Sequence, residues 1–332
     1  MNLAEASLTR FIHIDHISAV YAATRAAREV AAEAGLPEVI AERAAVVTSE
    51  LASNLDKHAT DGAVFVQRSL AGPGVEVYAV DSGPGMADLD HWRVDGHTTT
   101  ETLGTGLGAV GRLATEFRIR SAAGDGTVAA ARILAPGHQA VDLAHFRLPR
   151  EGEDRCGDAL AVSAMPGART AVVVDGLGHG PEASDAAEAA IAVFRRDPDR
   201  PLPEHLNAMH RALRQTRGAA VALARTSEGT LDFCGVGNIG GLVLTPGQSH
   251  PLLSIPGIVG FTLPVVRVRT VPLTGHELVV LHTDGIGTGW RGPVALGAVP
   301  SLTLLAADLA QRHRDLRDDA ALIAFGPGKG LL

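Results

Sequence analysis

Glu50, Asn54 and His58 stand four residues apart in the stretch TSELASNLDKHA, positions 48–59. On a helix that spacing sets all three along one stripe, beside an apolar stripe of Val47, Leu51 and Leu55. A solvated face is the simplest account of such a polar stripe, so the rest of the chain must decide whether it does chemistry. DSGPGM, 81–86, directly follows a strand-like run. An Asp at a strand end is fixed and exposed, and glycines let backbone approach a ligand closely. GTGLGAVGRL, 104–113, leads into a helical pattern carrying Val110, Leu113 and Phe117. Backbone N–H groups of a glycine-rich helix start suit phosphates. In the second half, VVVDGLGHG (172–180) and LVVLHTDGI (278–286) each end an apolar run in Asp-Gly, at Asp175 and Asp284. Asp158 sits in CGDAL, and Asp318 and Asp319 in RDDAAL, again beside apolar runs. Each acid alone reads as a turn residue, whereas four that abut strands favour a carboxylate metal site. Such all-oxygen donors call for Mg²⁺ or Mn²⁺ rather than zinc.

The elements that must carry these groups fall in two sets. Ile17, Val20, Thr24, Ala27, Ala31 and Ala34 predict a first helix over 16–34, punctuated by Gly35 and Pro37, and a second spans about 38–58. AVFVQRSL and GVEVYAV flank the turn signal AGPG, and FRIRSAA and TVAAARIL flank GDG, predicting two hairpins. The segment 81–108 between them is polar and rich in glycine. Residues 1–135 thus predict an α+β unit with helices on one face of a sheet. APGHQ, 135–139, reads as a linker. Beyond it, ALAVSAM, RTAVVVD, AAVALAR, TLDFCGV, GGLVLT, VVRVRTV, ELVVLHTD and AALIAF predict strands, and 181–196, 203–217 and 301–314 predict helices. That pattern is a mostly antiparallel sandwich flanked by helices.

Bulk properties narrow the classes. At 332 residues the chain predicts two domains. A net charge of −8 leaves no electrostatic footprint for nucleic acid or an anionic membrane. Apolar runs fall well short of the roughly 20 residues that span a bilayer, and MNLAEASLTRFIHID lacks the pattern of a secretory signal. Cys156 and Cys234 are too few for a disulfide framework or a cysteine zinc site. A cytoplasmic protein is expected. Gly106, Gly108 and Gly111 make a formal G-x-G-x-x-G, but a polar loop, DGHTTTETL, precedes it instead of the strand a dinucleotide fold requires.

The order E-x-x-x-N on a helix, D-x-G-x-G after a strand and G-x-G-x-G before a helix resembles the GHKL ATPase family, with its Bergerat α/β sandwich. SELASN, DSGPGM and DGHTTTETLGTGLGAVGRLATEF look most like the RsbT-like anti-sigma-type serine kinases. The resemblance implies an ATP site over residues 1–136. There Asn54 ligates the Mg²⁺ held by the ATP phosphates, and Glu50 orients or deprotonates the attacking hydroxyl. Asp81 accepts from the adenine amino group, with Gly83 and Gly85 leaving room for the ring. Gly104, Thr105, Gly106, Leu107 and Gly108 wrap the phosphates, and Thr127 supports Asp81. Lys57 and His58 touch a phosphate or merely face solvent. One Asn oxygen plus phosphates suffices for Mg²⁺, which keeps several waters, and phosphoryl transfer needs positioning more than covalent chemistry.

The later acids resemble those of the metal-dependent PPM serine/threonine phosphatases, in the SpoIIE-like branch and closest to RsbX-like members, over residues 140–332. This implies a PPM-type α/β/β/α sandwich with two Mn²⁺ or Mg²⁺ ions. Asp158 and Asp175 would bridge them, the Gly176 carbonyl would be a further ligand, and Asp284 and Asp318 would complete the pair, with Asp319 as the fallback. Such a pair generates hydroxide for in-line attack on phosphoserine. His179 reads either as an acid or phosphate ligand, or as a loop histidine with a backbone partner. His282, within a strand, reads as structural, as does GVGNIGG, 235–241. The larger PPM enzymes' inserted flap and regulatory helices have no counterpart here. The fusion implies opposing kinase and phosphatase activities on STAS-domain antagonist proteins and their phosphorylated forms, with a sigma factor or other effector downstream. Alternatively the first domain binds ATP without turnover and captures a partner or gates the phosphatase.

Overall fold

The computed structural model describes residues 2–86, 106–165, 167–291 and 301–327. Contacts divide it into two units, one of Thr9–Ala140 with Thr303–Gln311, the other of Met1–Leu8, Val141–Leu302 and Arg312–Leu332. A sequence division at 136–140 therefore places two segments differently. Residues 2–5 precede the ATPase-like unit yet pair within the sheet of the other, and 303–311 follow it by a long stretch yet group with it.

In the first unit the helices are α1 (Ile17–Glu33) and α2 (Glu38–His58), as the periodicity predicts. The His16 imidazole caps α1 by accepting from the Ser18 N–H at 3.2 Å. With β1 being Asn2–Glu5, the strands here are β2 (Arg10–Ile14), β3 (Gly62–Arg68), β4 (Gly74–Asp81), β5 (Glu116–Ala122) and β6 (Gly126–Leu134), and α3 (Gly106–Leu113) precedes β5. The sheet runs β2-β3-β4-β6-β5 and every neighbouring pair is antiparallel. Val47, Leu51 and Leu55 of α2 pack with Val64, Val66, Val77 and Ala79 of the sheet in one core. That burial fixes which way α2 is turned, and so where its polar stripe lies. The register sets Asp81 opposite Thr127.

On the other face of β4, Glu76 is buried where the apolar pattern of GVEVYAV gives no warning of a charge. It accepts from Arg132 Nε at 2.9 Å, Gln67 Nε2 at 2.9 Å, Ser69 Oγ at 3.0 Å and Tyr78 Oη at 2.7 Å. A buried carboxylate persists only when so satisfied. Helix residues 303–311 contribute Asp308, which accepts from Arg120 Nη2 at 3.0 Å on β5.

The second unit stacks two antiparallel sheets. Its elements are β7 (Leu143–Leu148), β8 (Asp158–Met165), β9 (Ala168–Gly176), α4 (Pro181–Arg196), α5 (Leu202–Ala212), β10 (Ala219–Ser227), β11 (Thr230–Val236), β12 (Gly240–Thr245), β13 (Gln248–Leu252), β14 (Arg269–Pro272), β15 (Leu278–His282) and β16 (Ala320–Phe325), while α6 (Leu302–Arg312), between β15 and β16 in sequence, groups for all but its end residues with the first unit. One sheet runs β1-β8-β9-β10-β11-β14, the other β13-β12-β15-β16-β7. Val172, Val174, Val221 and Leu223 pack outward on α4 and α5. The alternate residues of β8 and β9, Asp158 and Asp175 among them, face the interior between the sheets. VVRVRTV predicts a longer strand than the short β14 that forms, and β1, β2, β7 and β13 were not foreseen. Among the described residues no helix is long and apolar enough to cross a membrane.

Candidate functional site

The ATPase-like unit gathers most of its predicted groups at one end of the sheet. Glu50 and Asn54 are half-buried on one stripe of α2, while Lys57 and His58 are exposed at its last turn. The first residue of α3 approaches that stripe: a Cβ built on Gly106 would lie 3.7 Å from Glu50 Oε2. Leu107 and Gly108 follow it in the opening turn of α3, whereas Gly104 and Thr105 lie outside the described residues.

Asp81, buried at the end of β4, accepts from the Gly83 N–H at 2.7 Å, so the loop beyond the strand is tied to the carboxylate itself. Gly85 has φ +68°, and a Cβ there would sit 2.0 Å from the Ala122 carbonyl oxygen. Only glycine lets the loop lie against the β5–β6 hairpin. Thr127 Oγ1 lies 2.8 Å from Ser121 Oγ, which accepts from the Met86 N–H at 2.7 Å and contacts the Gly126 carbonyl at 3.0 Å. Ser121 was missed from sequence, yet it occupies an inward position of the alternating strand EFRIRSA, where Phe117 and Ile119 precede it.

In the second unit the four predicted acids come together from four segments. Asp158 opens β8 and pairs in register with Asp175 of β9. Asp284 follows β15, and Asp318 precedes β16. Gly285 permits their approach, since a Cβ there would stand 1.9 Å from the Asp319 carbonyl oxygen. Gly285→Ala should therefore destabilise this unit by about 3 kcal/mol, measured as a lowered midpoint in urea with no loss in the ATPase-like unit's own signal.

Asp158 is 2 % exposed, and its carboxyl is held well above the usual range by burial first and by Asp175 next. Asp175 is pushed up to about 7, by burial and then by Asp284, and Asp318 is raised by burial and Asp284. No lysine or arginine pairs with these four among the described residues. Among the described residues, no three acidic, histidine or cysteine side chains close tightly enough to grip a cation as they stand. An all-carboxylate donor set of one sign, running from buried Asp158 to exposed Asp284, fits a hard divalent ion such as Mg²⁺ or Mn²⁺. A folded-state pKa near 7 against 3.8 unfolded means the native chain holds the extra proton. Asp175 thus supports the metal-free fold below about pH 4 and withdraws that support as pH rises through about 7. Melting temperatures in chelator should fall across that window, and Asp175→Asn should remove that part of the fall.

Asp318 and Asp319 are used differently. Both oxygens of buried Asp319 hold backbone, Oδ1 accepting from the Arg150 N–H and Oδ2 from the Gly157 N–H, each at 2.8 Å. Asp318 is half-exposed and, among the described residues, accepts only from the neighbouring Asp319 N–H, at 2.9 Å. The Gly176 N–H donates to the Gly157 carbonyl at 3.0 Å, joining the turn that bears Asp175 to the one before Asp158. His179 Nδ1 lies 2.7 Å from Glu153 Oε1, so its partner is a carboxylate, not the backbone. His282 is buried, with Nδ1 2.8 Å from the Thr283 carbonyl.

Two neighbours of the acids escaped the sequence reading. Asn238, in GVGNIGG, donates from Nδ2 to Asp284 Oδ2 at 2.7 Å and hydrogen-bonds Asp175, which favours its charged form. Thr283 donates from Oγ1 to Asp158 Oδ2 at 2.6 Å.

A five-stranded antiparallel sheet under paired helices, with a third helix opening on Gly106, is an ATPase-type nucleotide fold, and the two-sheet sandwich with acids at one end is a PPM-type fold. Comparison with known proteins agrees. The histidine kinase-like ATPase domain family matches residues 16–133, and the Stage II sporulation protein E (SpoIIE) family matches 166–288. The serine/threonine-protein kinase RsbT of Bacillus subtilis (strain 168) is 36% identical over 110 residues, which cover 32% of this chain and 83% of RsbT. Phosphoserine phosphatase RsbX of the same organism is 24% identical over 144 residues, 42% of this chain and 72% of RsbX.

Among solved structures, a chain described under the bacterial stressosome, a modular system adapted to control secondary messenger signalling, is 35% identical with a TM-score of 0.51, over 55% of this chain and 97% of that one. The crystal structure of RsbX in complex with magnesium shares the fold at 20% identity and a TM-score of 0.50, over 55% and 94%. The chain belongs to the RsbT family of histidine kinase-like ATPase domains, fused to a phosphatase domain of the SpoIIE type.

Proposed function

We propose that this chain is a bifunctional partner-switching regulator. Its first domain transfers the γ-phosphate of ATP to a serine or threonine of a STAS-type antagonist protein, and its second removes that phosphate. The observation that supports this most is the gathering of Asp158, Asp175, Asp284 and Asp318 at one end of the sandwich, with burial raising the first two. In that reading these four carboxylates and the Gly176 carbonyl hold two divalent ions, Mn²⁺ or Mg²⁺. Asp319 instead holds the loops in place, because both of its oxygens already serve backbone N–H groups. When bound, such ions supply a hydroxide nucleophile and neutralise the phosphoryl oxygens. Asp158 and Asp175 position that centre, and Asn238 orients the Asp284 carboxylate and favours the charged form of Asp175. The association of RsbX with magnesium supports a divalent ion of this kind.

In the first domain Asp81 and the loop tied to it receive adenine, backed by Thr127 and Ser121. The start of α3, Gly106–Gly108, together with Gly104 and Thr105 that precede it in sequence, cradles phosphates. Asn54 holds Mg²⁺, and Glu50, facing Gly106, orients the hydroxyl that attacks. The site of action is the cytoplasm, and no nucleic acid or membrane is required. Incubation with ATP and a purified STAS protein tests the reading. Phosphate should appear on the partner with Asp175→Asn and not with Glu50→Gln/Asp175→Asn. Tight ATP binding with no phosphate on any partner would assign the first domain instead to capture or gating.

A further inference from the structure

We infer that Thr283 is a positioning residue of the metal centre. Its hydroxyl fixes the Asp158 carboxylate and locks together the segments that carry Asp284 and Asp318. The inference rests on the proposed divalent centre.

The Thr283 side chain is fully buried. Its Oγ1 accepts from the Ala321 N–H at 2.9 Å and lies 2.6 Å from Asp158 Oδ2. A hydroxyl has one proton and two lone pairs. The Ala321 N–H takes one lone pair, and among the described residues the other acceptor near the proton is the Ala321 carbonyl, farther off at 3.4 Å, so the proton goes to Asp158 at 2.6 Å. The short contact is that of a hydroxyl on a carboxylate.

The backbone makes this a junction. The Thr283 N–H donates to the Ala321 carbonyl at 2.9 Å, so Thr283 and Ala321 are bonded through both main chain and side chain. Thr283 immediately precedes Asp284, and Ala321 follows Asp318 by three residues. One hydroxyl thus ties the start of β8 to the end of β15 and the start of β16, the three places from which Asp158, Asp284 and Asp318 project. Nothing else in LHTDG distinguishes Thr283 in sequence, because a Thr at a strand end is ordinary.

Thr283→Val keeps shape and removes the donor, and Thr283→Ser keeps the donor. Mn²⁺ binding to the full chain by calorimetry should weaken about 10- to 100-fold in Thr283→Val, as for other residues that orient metal ligands, and stay within about threefold of wild type in Thr283→Ser. Excess Mn²⁺ should restore most phosphatase turnover to the valine variant. Thr283→Ala, which also lacks the donor but relieves crowding, is measured alongside and should weaken binding by a similar factor, so a valine variant that fails to fold leaves the test intact. Wild-type affinity in both hydroxyl-free variants, or equal loss in valine and serine, overturns the inference. Wild-type protein that takes up no Mn²⁺ overturns the metal centre itself, a distinct result.

Discussion

Asp175→Asn and Asp284→Asn should each lower phosphatase turnover on a phosphorylated STAS protein by about 10³-fold or more, the loss of about 4 kcal/mol of transition-state stabilisation. Both residues lack a cationic partner among the described residues, so neither is explained as half of a structural salt bridge. Asp175 is pushed up to about 7 by burial and by Asp284, a cost to the metal-free fold that a purely structural residue would not carry. The same substitutions should therefore raise the melting temperature in chelator by a few degrees, roughly what 1–2 kcal/mol gives in a domain of this size, while abolishing the increase caused by Mn²⁺. Stability gained where activity is lost marks a functional carboxylate. Phosphatase turnover retained in both variants would remove the four acids from the mechanism.

Asn54→Ala and Glu50→Gln should separate binding from transfer. The two side chains share one stripe of α2, but only Glu50 is placed beside the first residue of α3. Asn54→Ala should weaken Mg²⁺–ATP binding about 100-fold, equivalent to about 2.7 kcal/mol. Glu50→Gln should leave affinity within about threefold and reduce phosphoryl transfer about 10²- to 10⁴-fold, the usual worth of a positioned base. Nucleotide affinity by fluorescence and labelling of the partner with radioactive ATP distinguish the two. Equal loss of affinity in both would mean that the stripe binds nucleotide as a unit and that Glu50 has no separate part in transfer.

What could be read in advance followed the strength of local signals. The helices of the ATPase-like unit were legible because Val47, Leu51 and Leu55 repeat at helical spacing, and burial of that stripe also fixed the turn of Glu50 and Asn54. Asp175 and Asp284 were legible because Asp-Gly ends a run of β-branched residues. The short edge strands β1, β2, β7 and β13 were not, since their pairing depends on partners distant in sequence. Asn2–Glu5 pairs with β8, across the whole ATPase-like unit, and no local pattern encodes that. Glu76 shows the same limit, because its burial is compensated by Arg132, 56 residues away. Ser121, Asn238 and Thr283 escaped for a different reason. Each contributes a single hydroxyl or amide, which carries no periodicity. The choice between Asp318 and Asp319 needed atoms, since only the hydrogen bonds of Asp319 to the Arg150 and Gly157 N–H groups set the two apart.

The central claim is that one chain adds and removes phosphate on the same partner. The most direct measurement follows radiolabelled phosphate from ATP on a purified STAS protein with wild type, Asp175→Asn and Glu50→Gln/Asp175→Asn, in Mg²⁺ and Mn²⁺. Label should accumulate on the partner with Asp175→Asn, stay low with wild type while free phosphate appears, and be absent with the double variant. Equal partner labelling by wild type and Asp175→Asn, or none with either, would contradict the account.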